Sequence, residues 1–210
     1  MRKVLLGLAT SAALLAAGAA NAAINVSYWV NQTAVAQNAT IANILALGAA
    51  SGTGVVNALN FSTGNSDSLT IDQWLGVTTT GAGGHVLDNT VFLFSGTTFL
   101  NAGVNNYTIA HDDGVQLHVN GIAGFPLNAP GPTSPVTTAF SVTAPSAGNY
   151  NFQLSYGECC SGPAVLQIGV APGVTPFGAA PEPAAWGLML VGFGGLGAML
   201  RRRRSAMLTA

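Results

Sequence analysis

The chain has 210 residues, of which 49% are hydrophobic and only 6% are charged, and its formal net charge is −1. All six Lys and Arg residues lie at positions 2, 3 and 201–204, so the stretch 23–180 carries six carboxylates and neither Lys nor Arg. Such a surface cannot neutralise a phosphate backbone, which excludes nucleic acid and phosphorylated cofactors as partners, and without lysine it cannot form a Schiff base.

The N-terminal end is typical of a secretory signal peptide. Arg2 and Lys3 precede an apolar run over 4–20, and the triplet at 20–22 is a small-x-small cleavage site. The pattern predicts a signal peptide over 1–22 that passes through the Sec translocon and is removed by signal peptidase. A retained membrane helix is the alternative, but the run is short, rich in alanine and followed at once by the cleavable triplet.

Strand patterns dominate the stretch 23–172, which is long enough for one domain. Tyr150, Phe152, Leu154 and Tyr156 alternate with polar residues, and Leu166, Ile168 and Val170 repeat the pattern with their side chains inward. Short strands separated by turn signals predict an all-β domain, an antiparallel β-sandwich or barrel. The predicted strands outside the central segment are 24–30, 55–61, 68–74, 90–100, 149–157 and 165–170.

Three other segments lack a clear strand pattern. The stretch 35–47 fits a short amphipathic helix or a loop with an edge strand, and the pattern does not decide between them. The prolines and glycines of 126–135 predict a long loop. A Pro/Gly-rich segment over 173–180 predicts a linker that follows the domain.

The segment 107–121, YTIAHDDGVQLHVNG, carries the most chemistry. Asp113-Gly114 is a favoured hairpin turn because both residue types tolerate positive backbone angles, and the flanks on both sides are strand-like. Alternation after the turn predicts a core face with Val115, Leu117 and Val119 and an outer face with Gln116 and His118.

This hairpin, followed by GNYNFQLSYGECCSGPAVLQIGV at 148–170, resembles the protective-antigen domain family, the PA-fourteen β-barrel of bacterial toxins, glycosidases and surface lectins. Lectin members hold a calcium ion with paired aspartates, and the ion in turn binds sugar hydroxyls. Asp112 and Asp113 occupy the matching positions, so the resemblance implies a calcium site there. The alternative is that the two aspartates only shape a turn.

Calcium takes six to eight oxygen ligands, more than two aspartates supply. The resemblance suggests Glu158 and backbone carbonyls as further ligands. Asparagine side chains are the other candidates, namely Asn105, Asn106 or Asn120.

Cys159 and Cys160 are adjacent and are the only cysteines of the chain. An exported compartment permits their oxidation, although successive Cα atoms are only ~3.8 Å apart, below the usual disulfide range. A bridge between them would impose a sharp turn, and we favour this structural bridge. Free thiols, pairing between chains and a soft metal site remain alternatives, the last with His85, His111 or His118, although no Cys-x-x-Cys spacing occurs.

The C-terminal end combines a Pro-Glu-Pro triplet, an apolar Gly-rich stretch over 184–200 and four arginines. An uninterrupted apolar stretch followed by cations predicts a transmembrane helix that stops transfer with the cluster on the cytoplasmic side. The sorting and cleavage residues predicted in the segment 181–204 are Pro181, Glu182, Pro183, Trp186, Arg201, Arg202, Arg203 and Arg204.

This order of parts resembles the PEP-CTERM sorting signal of exported bacterial proteins, which an exosortase processes. The resemblance implies export in a Gram-negative bacterium, an inner-membrane intermediate, cleavage near Pro181, and delivery to the cell surface or to an extracellular exopolysaccharide matrix.

We expect a non-enzymatic exported surface or extracellular-matrix protein with calcium-dependent carbohydrate binding or adhesion. A purely structural exopolysaccharide-matrix protein without a small ligand is the alternative, and a carbohydrate-active enzyme is the third. We predict no catalytic residues, because adjacent carboxylates seldom divide the two glycosidase roles and no Gly-x-Ser-x-Gly motif occurs.

Overall fold

A computed structural model describes residues 23–64 and 68–178, which belong to one compact unit. The predicted signal peptide, 1–22, and the predicted sorting segment, 181–204 with its membrane helix, lie outside the described residues. Within the described ranges, no helix has the length and apolar character needed to span a bilayer.

Two separate antiparallel sheets form a β-sandwich, so the sandwich is the correct one of the two predicted architectures. The larger sheet has seven strands in the order β4-β2-β1-β5-β10-β7-β8, and the smaller has four in the order β3-β11-β6-β9. The strands are β1 Ile24–Trp29, β2 Gly52–Val56, β3 Asn60–Ser62, β4 Thr80–Gly81, β5 Thr90–Leu100, β6 Gly103–Asp112, β7 Val115–Val119, β8 Leu127–Ala129, β9 Val136–Ala144, β10 Gly148–Glu158 and β11 Val165–Val170.

Four predicted strands, 24–30, 90–100, 149–157 and 165–170, are confirmed by β1, β5, β10 and β11. The predicted strand 55–61 is wrong as one element, because β2 lies in the seven-stranded sheet and β3 in the four-stranded sheet. Within β11 the predicted inward alternation is right for Leu166, which is buried, and wrong for Val170, which is 38% exposed. The predicted loop 126–135 contains β8.

Three short helices, α1 Thr33–Ala36, α2 Ile41–Leu45 and α3 Ile71–Leu75, make the domain mostly rather than entirely β. The first two lie in the ambiguous stretch 35–47 and its N-terminal flank, so the helical alternative is the correct one. Both pack on the outer side of the seven-stranded sheet, where Trp29, Val91 and Leu93 form a second small core with them.

The predicted strand 68–74 is wrong, because α3 occupies most of it. The Thr70 hydroxyl accepts the Gln73 N–H and the Gln73 side chain accepts the Thr70 N–H, which is a capping box. Gly76 ends the helix in the left-handed conformation, at φ 67°. These caps satisfy backbone groups at the two helix ends and so favour a helix. The apolar pattern of 68–74 alone does not reveal them.

The predicted hairpin at Asp113-Gly114 is wrong as well. β6 pairs with β9 and β11, whereas β7 pairs with β8 and β10, so the turn carries the chain from one sheet to the other. Gly114 is required by close packing rather than by a positive φ, because a Cβ atom there would lie 2.1 Å from the Pro130 carbonyl oxygen. The segment 112–114 therefore lies at the seam between the sheets.

The predicted core face of β7 is confirmed, since Val115, Leu117 and Val119 are fully buried. Gln116 was predicted to face out and is only 5% exposed, because α2 covers it. Its Oε1 atom accepts the Ile41 N–H at 2.9 Å, and its Nε2 atom donates to Asn128 Oδ1 at 2.7 Å.

Aromatic side chains fill the space between the sheets at the end where α3 packs. The Trp74 ring stacks on Tyr156 with 5.2 Å between centroids and contacts Phe61 and Phe92 at 4.9 and 5.1 Å. Its Nε1 atom donates to the Ala164 carbonyl oxygen, so the buried N–H is satisfied. Trp74 thus fixes the position of the Tyr156 ring, whose hydroxyl contacts the Asp112 carbonyl oxygen.

Part of the predicted linker 173–180 packs against the domain. Phe177 is buried, with ring contacts to Tyr107 at 5.0 Å and Phe152 at 4.9 Å, and Val174 packs at the edge of the same core. The packed chain therefore continues to Phe177.

We predict that Trp74→Ala lowers the unfolding free energy by about 3–5 kcal/mol, the usual range for removing a buried large aromatic side chain. Thermal and urea unfolding of residues 23–180 measure the change. The control Leu45→Ala removes a side chain that is 55% exposed and should cost far less. Equal losses in the two variants would contradict the described core.

Candidate functional site

Three strand ends meet between the sheets at one end of the sandwich. β6 ends at Asp112, β10 ends at Glu158, and β5 begins at Thr90, which lies directly opposite Glu158 in the strand register. The Tyr156 hydroxyl reaches from β10 to the Asp112 carbonyl oxygen in the other sheet. The predicted calcium residues therefore lie in one region, between the two layers.

All three predicted carboxyl groups are buried: Asp112 is 7% exposed, Asp113 3% and Glu158 2%. The domain has no Lys or Arg with which to pair them. A buried ionised carboxylate without a cation or adequate hydrogen bonds is costly, and such a group becomes protonated or binds a cation. This end of the sandwich therefore has the electrostatics of a cation site.

Asp113 ties two loops together through its carboxylate. Its Oδ1 atom accepts the Thr133 N–H at 3.1 Å, and its Oδ2 atom accepts the Cys159 N–H at 2.8 Å. The Asp113 carbonyl oxygen accepts the His111 Nδ1 proton at 2.6 Å, while His111 Nε2 lies 2.9 Å from the Thr138 hydroxyl. Asp113 is thus fixed by backbone and ring donors on both sides.

Asp112 differs from its neighbour. Its carbonyl oxygen accepts the Tyr156 hydroxyl, and its carboxyl group shares a side-chain hydrogen bond with Asp113, but no backbone N–H or hydroxyl group of the described residues donates to it. The peptide bond between Asp112 and Asp113 is cis. Burial, and then the Asp113 charge, raise the pKa of Asp112 from 3.8 to about 6. A carboxylate with free oxygen lone pairs beside a second carboxylate is a hard donor set that suits calcium.

Glu158 is connected to this pair through the Tyr156 hydroxyl. The Tyr156 hydroxyl contacts both Glu158 Oε2 and the Asp112 carbonyl oxygen, and its single proton cannot serve both contacts. A protonated Glu158 can instead donate to Tyr156, which leaves the Tyr156 proton for the Asp112 carbonyl oxygen. Burial raises the pKa of Glu158 from 4.5 to about 9, a hydrogen bond donated by Tyr156 lowers it, and the charges of Asp113, Asp112 and Asp88 raise it further.

The ligand atoms of Asp112, Asp113 and Glu158 do not all lie within 4.8 Å of one another. The set in the described residues that meets this distance is Asp113, Cys159 and Cys160, and no histidine belongs to it. Glu158 contacts the Asp112 backbone through Tyr156, and the charges of Asp113 and Asp112 also act on it directly, so its role as a ligand stays a prediction.

The predicted asparagine ligands are wrong. Asn105 is buried at the opposite end of β6, where its side chain bonds Asn101 and the Gly103 and Val142 carbonyl oxygens. Asn106 precedes Asp112 by six residues of extended strand, or about 20 Å. Asn120 follows the far end of β7. The side-chain amides of Asn106 and Asn120 therefore lie too far from the aspartates to bind the same ion.

Cys159 and Cys160 are joined by a disulfide in the structure, with Cα atoms 3.7 Å apart. The sharp turn that follows has positive φ angles of 71° at Cys160 and 61° at Ser161. Cys159 is buried beneath the helices, whereas Cys160 is exposed. Because the Cys159 N–H bonds Asp113, the bridged turn helps to hold the Asp113 carboxylate.

Asp88 and Thr90 extend the polar cluster at the start of β5. Asp88 Oδ2 accepts a hydrogen bond from Asn89 at 2.7 Å, but Asp88 Oδ1 and Thr90 Oγ1 are buried without a partner among the described residues. Sequence reasoning missed these two residues and Tyr156, since their roles depend on the register between β5 and β10 and on the packing of the two sheets.

Comparison with known proteins identifies the tail and the fold. Residues 179–204 match the PEP-CTERM protein-sorting motif, which confirms the predicted resemblance and implies export, sorting to the cell surface and processing by an exosortase. None of the curated proteins matches the chain.

Two solved PA14 domains resemble the structure. The PA14 domain of the MpAFP antifreeze protein has a TM-score of 0.56 and 20% identity, with 78% of this chain and 97% of that chain covered. A PA14 sugar-binding domain from an RTX adhesin has a TM-score of 0.52 and 18% identity, with 71% and 89% covered. At these identities the similarity confirms the PA14 fold.

We predict that the calcium-free domain loses stability as the pH rises. Between pH 4.5 and about 9 the folded state retains the Glu158 proton that the unfolded chain has released, so unfolding becomes more favourable through this window. Asp112 contributes in the same direction between pH 3.8 and about 6. Melting temperatures measured in chelator from pH 5 to 9 should fall by roughly 10 °C or more, at about 1.4 kcal/mol per pKa unit and roughly 2–4 °C per kcal/mol.

Glu158→Gln keeps a hydrogen-bonding side chain and removes the titration. Its melting temperature should depend less on pH than that of the unsubstituted domain and should exceed it at pH 9. An unchanged slope in Glu158→Gln would contradict the assignment of the buried proton.

Proposed function

We propose that the chain delivers to the cell surface a non-catalytic domain that binds carbohydrate through a calcium ion held by Asp112 and Asp113. The observation that carries the proposal is the Asp112 carboxylate, which is buried beside the Asp113 carboxylate and accepts no hydrogen bond from a backbone N–H or hydroxyl group of the described residues. A bound divalent cation would compensate both charges. Its remaining coordination positions would be available to sugar hydroxyls.

The ligands divide by role in this proposal. Asp112 supplies the free carboxylate, and Asp113 supplies lone pairs that its two backbone donors do not use. Tyr156 holds the Asp112 backbone through its carbonyl oxygen, and Glu158 contacts the same Tyr156 hydroxyl. The RTX adhesin domain with the same fold is described as sugar-binding, which supports a carbohydrate ligand here.

Targeting fits this role. We propose passage through the Sec translocon, removal of 1–22 by signal peptidase, an inner-membrane intermediate held by the segment 184–200, and exosortase cleavage near Pro181. The domain would then reach the surface or the exopolysaccharide matrix of a Gram-negative bacterium. A neutral, hydrogen-bonding exterior suits that environment.

A purely structural matrix role is the second candidate, and one observation favours it. Both Asp113 oxygens already accept backbone N–H groups, an arrangement that stabilises the loops without any metal. Calcium binding decides between the two candidates.

We predict that 10 mM calcium stabilises the domain by about 1.4–2.7 kcal/mol, or roughly 3–11 °C, as expected for an extracellular site with a dissociation constant near 10⁻⁴–10⁻³ M. Asp112→Asn should abolish the shift. The matched control Asp72→Asn removes a carboxylate that bonds Thr79 elsewhere in the domain, and it should keep the shift. No shift in the unsubstituted domain would favour the structural role.

Binding of residues 23–180 to a glycan array should require calcium, disappear in chelator and be lost in Asp112→Asn. Binding that persists in chelator would place the sugar contact elsewhere. Polysaccharide turnover abolished by Asp113→Ala would contradict the non-catalytic role.

A further inference from the structure

The four edges of the two sheets differ greatly in length. The seven-stranded sheet ends in β4 and β8, of two and three residues, and the four-stranded sheet ends on one side in β3, of three residues. The other edge of the four-stranded sheet is β9, which has nine residues. Very short edge strands are one means by which soluble β proteins prevent pairing with other chains. β9 is the edge that this protein leaves long.

Only one side of β9 is occupied in the described domain. It pairs with β6 along its whole length, from Gly103 opposite Ala144 to His111 opposite Val136. No backbone–backbone hydrogen bond outside that pairing involves residues 136–144 in the described chain. Because the N–H and C=O groups of an antiparallel strand point alternately to its two sides, about half of those in β9 face away from β6.

The sequence of β9, VTTAFSVTA, contains no charge and no proline. Lysine, proline and inward-pointing charges are the usual devices that block an edge, and β9 has none of them. Its Val, Thr and Phe residues favour an extended chain. The edge is therefore open in both geometry and composition.

We propose that β9 pairs with β9 of a second copy of this chain, antiparallel about a two-fold axis near Phe140, which joins the two four-stranded sheets into one. The surroundings favour an identical partner. β3, β9 and β11 carry no charged residue, and the one carboxylate of β6, Asp112, is buried at the C-terminal end of that strand. Two copies meet here without like-charge repulsion, and a cationic partner finds no carboxylate to pair with.

The interaction is isologous, because the same strand serves both copies. It leaves Asp112 and Asp113 outside the contact, so it does not depend on the proposed calcium site. It gives a surface-sorted domain a means of linking copies to one another in addition to any ligand.

Sedimentation of residues 23–180 over a range of concentrations tests the pairing. The unsubstituted domain should pass from monomer to dimer. Ser141→Lys places an exposed lysine beside Phe140, and the two-fold axis would bring it close to the same lysine of the second copy. This variant should remain monomeric at concentrations where the unsubstituted domain is dimeric. Asn60→Lys, on the short edge β3 of the same sheet, is the matched control and should dimerise normally.

Charge exchange separates this effect from misfolding. Ser141→Lys and Ser141→Glu should each remain monomeric alone and form a dimer when mixed, which a damaged fold would not do. Thr137→Lys on the same strand is the second variant. A domain that is monomeric at every concentration, a dimer insensitive to Ser141→Lys, or equal loss in Asn60→Lys would overturn the proposal.

Discussion

Buried carboxyl groups without a cationic side chain are the constraint on which this end of the sandwich depends. The domain has no Lys or Arg, so Asp112, Asp113 and Glu158 cannot form the ion pairs that usually accompany buried acids. Each reaches a different solution. Asp113 accepts two backbone N–H groups, burial raises the pKa of Glu158 to about 9, and Asp112 bonds the Asp113 side chain but accepts no backbone N–H or hydroxyl donor of the described residues. That asymmetry is the reason why we propose Asp112 as the contact for an external cation.

Contacts from the core and from the loops hold these carboxyl groups in place. The capped helix α3 places Trp74 against the Tyr156 ring, and the Tyr156 hydroxyl links Glu158 on one sheet to the Asp112 backbone on the other. On the opposite side, the bridged turn at Cys159 holds Asp113. The aspartate pair is thus positioned by the core and by the disulfide together.

Local patterns in the sequence predict elements better than they predict their partners. Alternation predicts β10 and β11, whereas 68–74 forms α3 instead of the predicted strand because Thr70 and Gln73 supply a capping box. Asp113-Gly114 has the composition of a hairpin turn but joins the two sheets, because β6 and β7 pair with strands far along the chain and local propensity carries no information on those partners. A family resemblance predicts the aspartate pair, whereas the role of Tyr156 depends on how the two sheets pack and no local pattern predicts it.

The central claim is that the aspartate pair binds a divalent cation. Its most direct measurement is a crystal structure of residues 23–180 grown in millimolar calcium, with anomalous scattering used to locate the metal. The account predicts a peak about 2.3–2.6 Å from the Asp112 carboxylate oxygens. The absence of a peak at Asp112 and Asp113, with both carboxylates ordered as described, would contradict it.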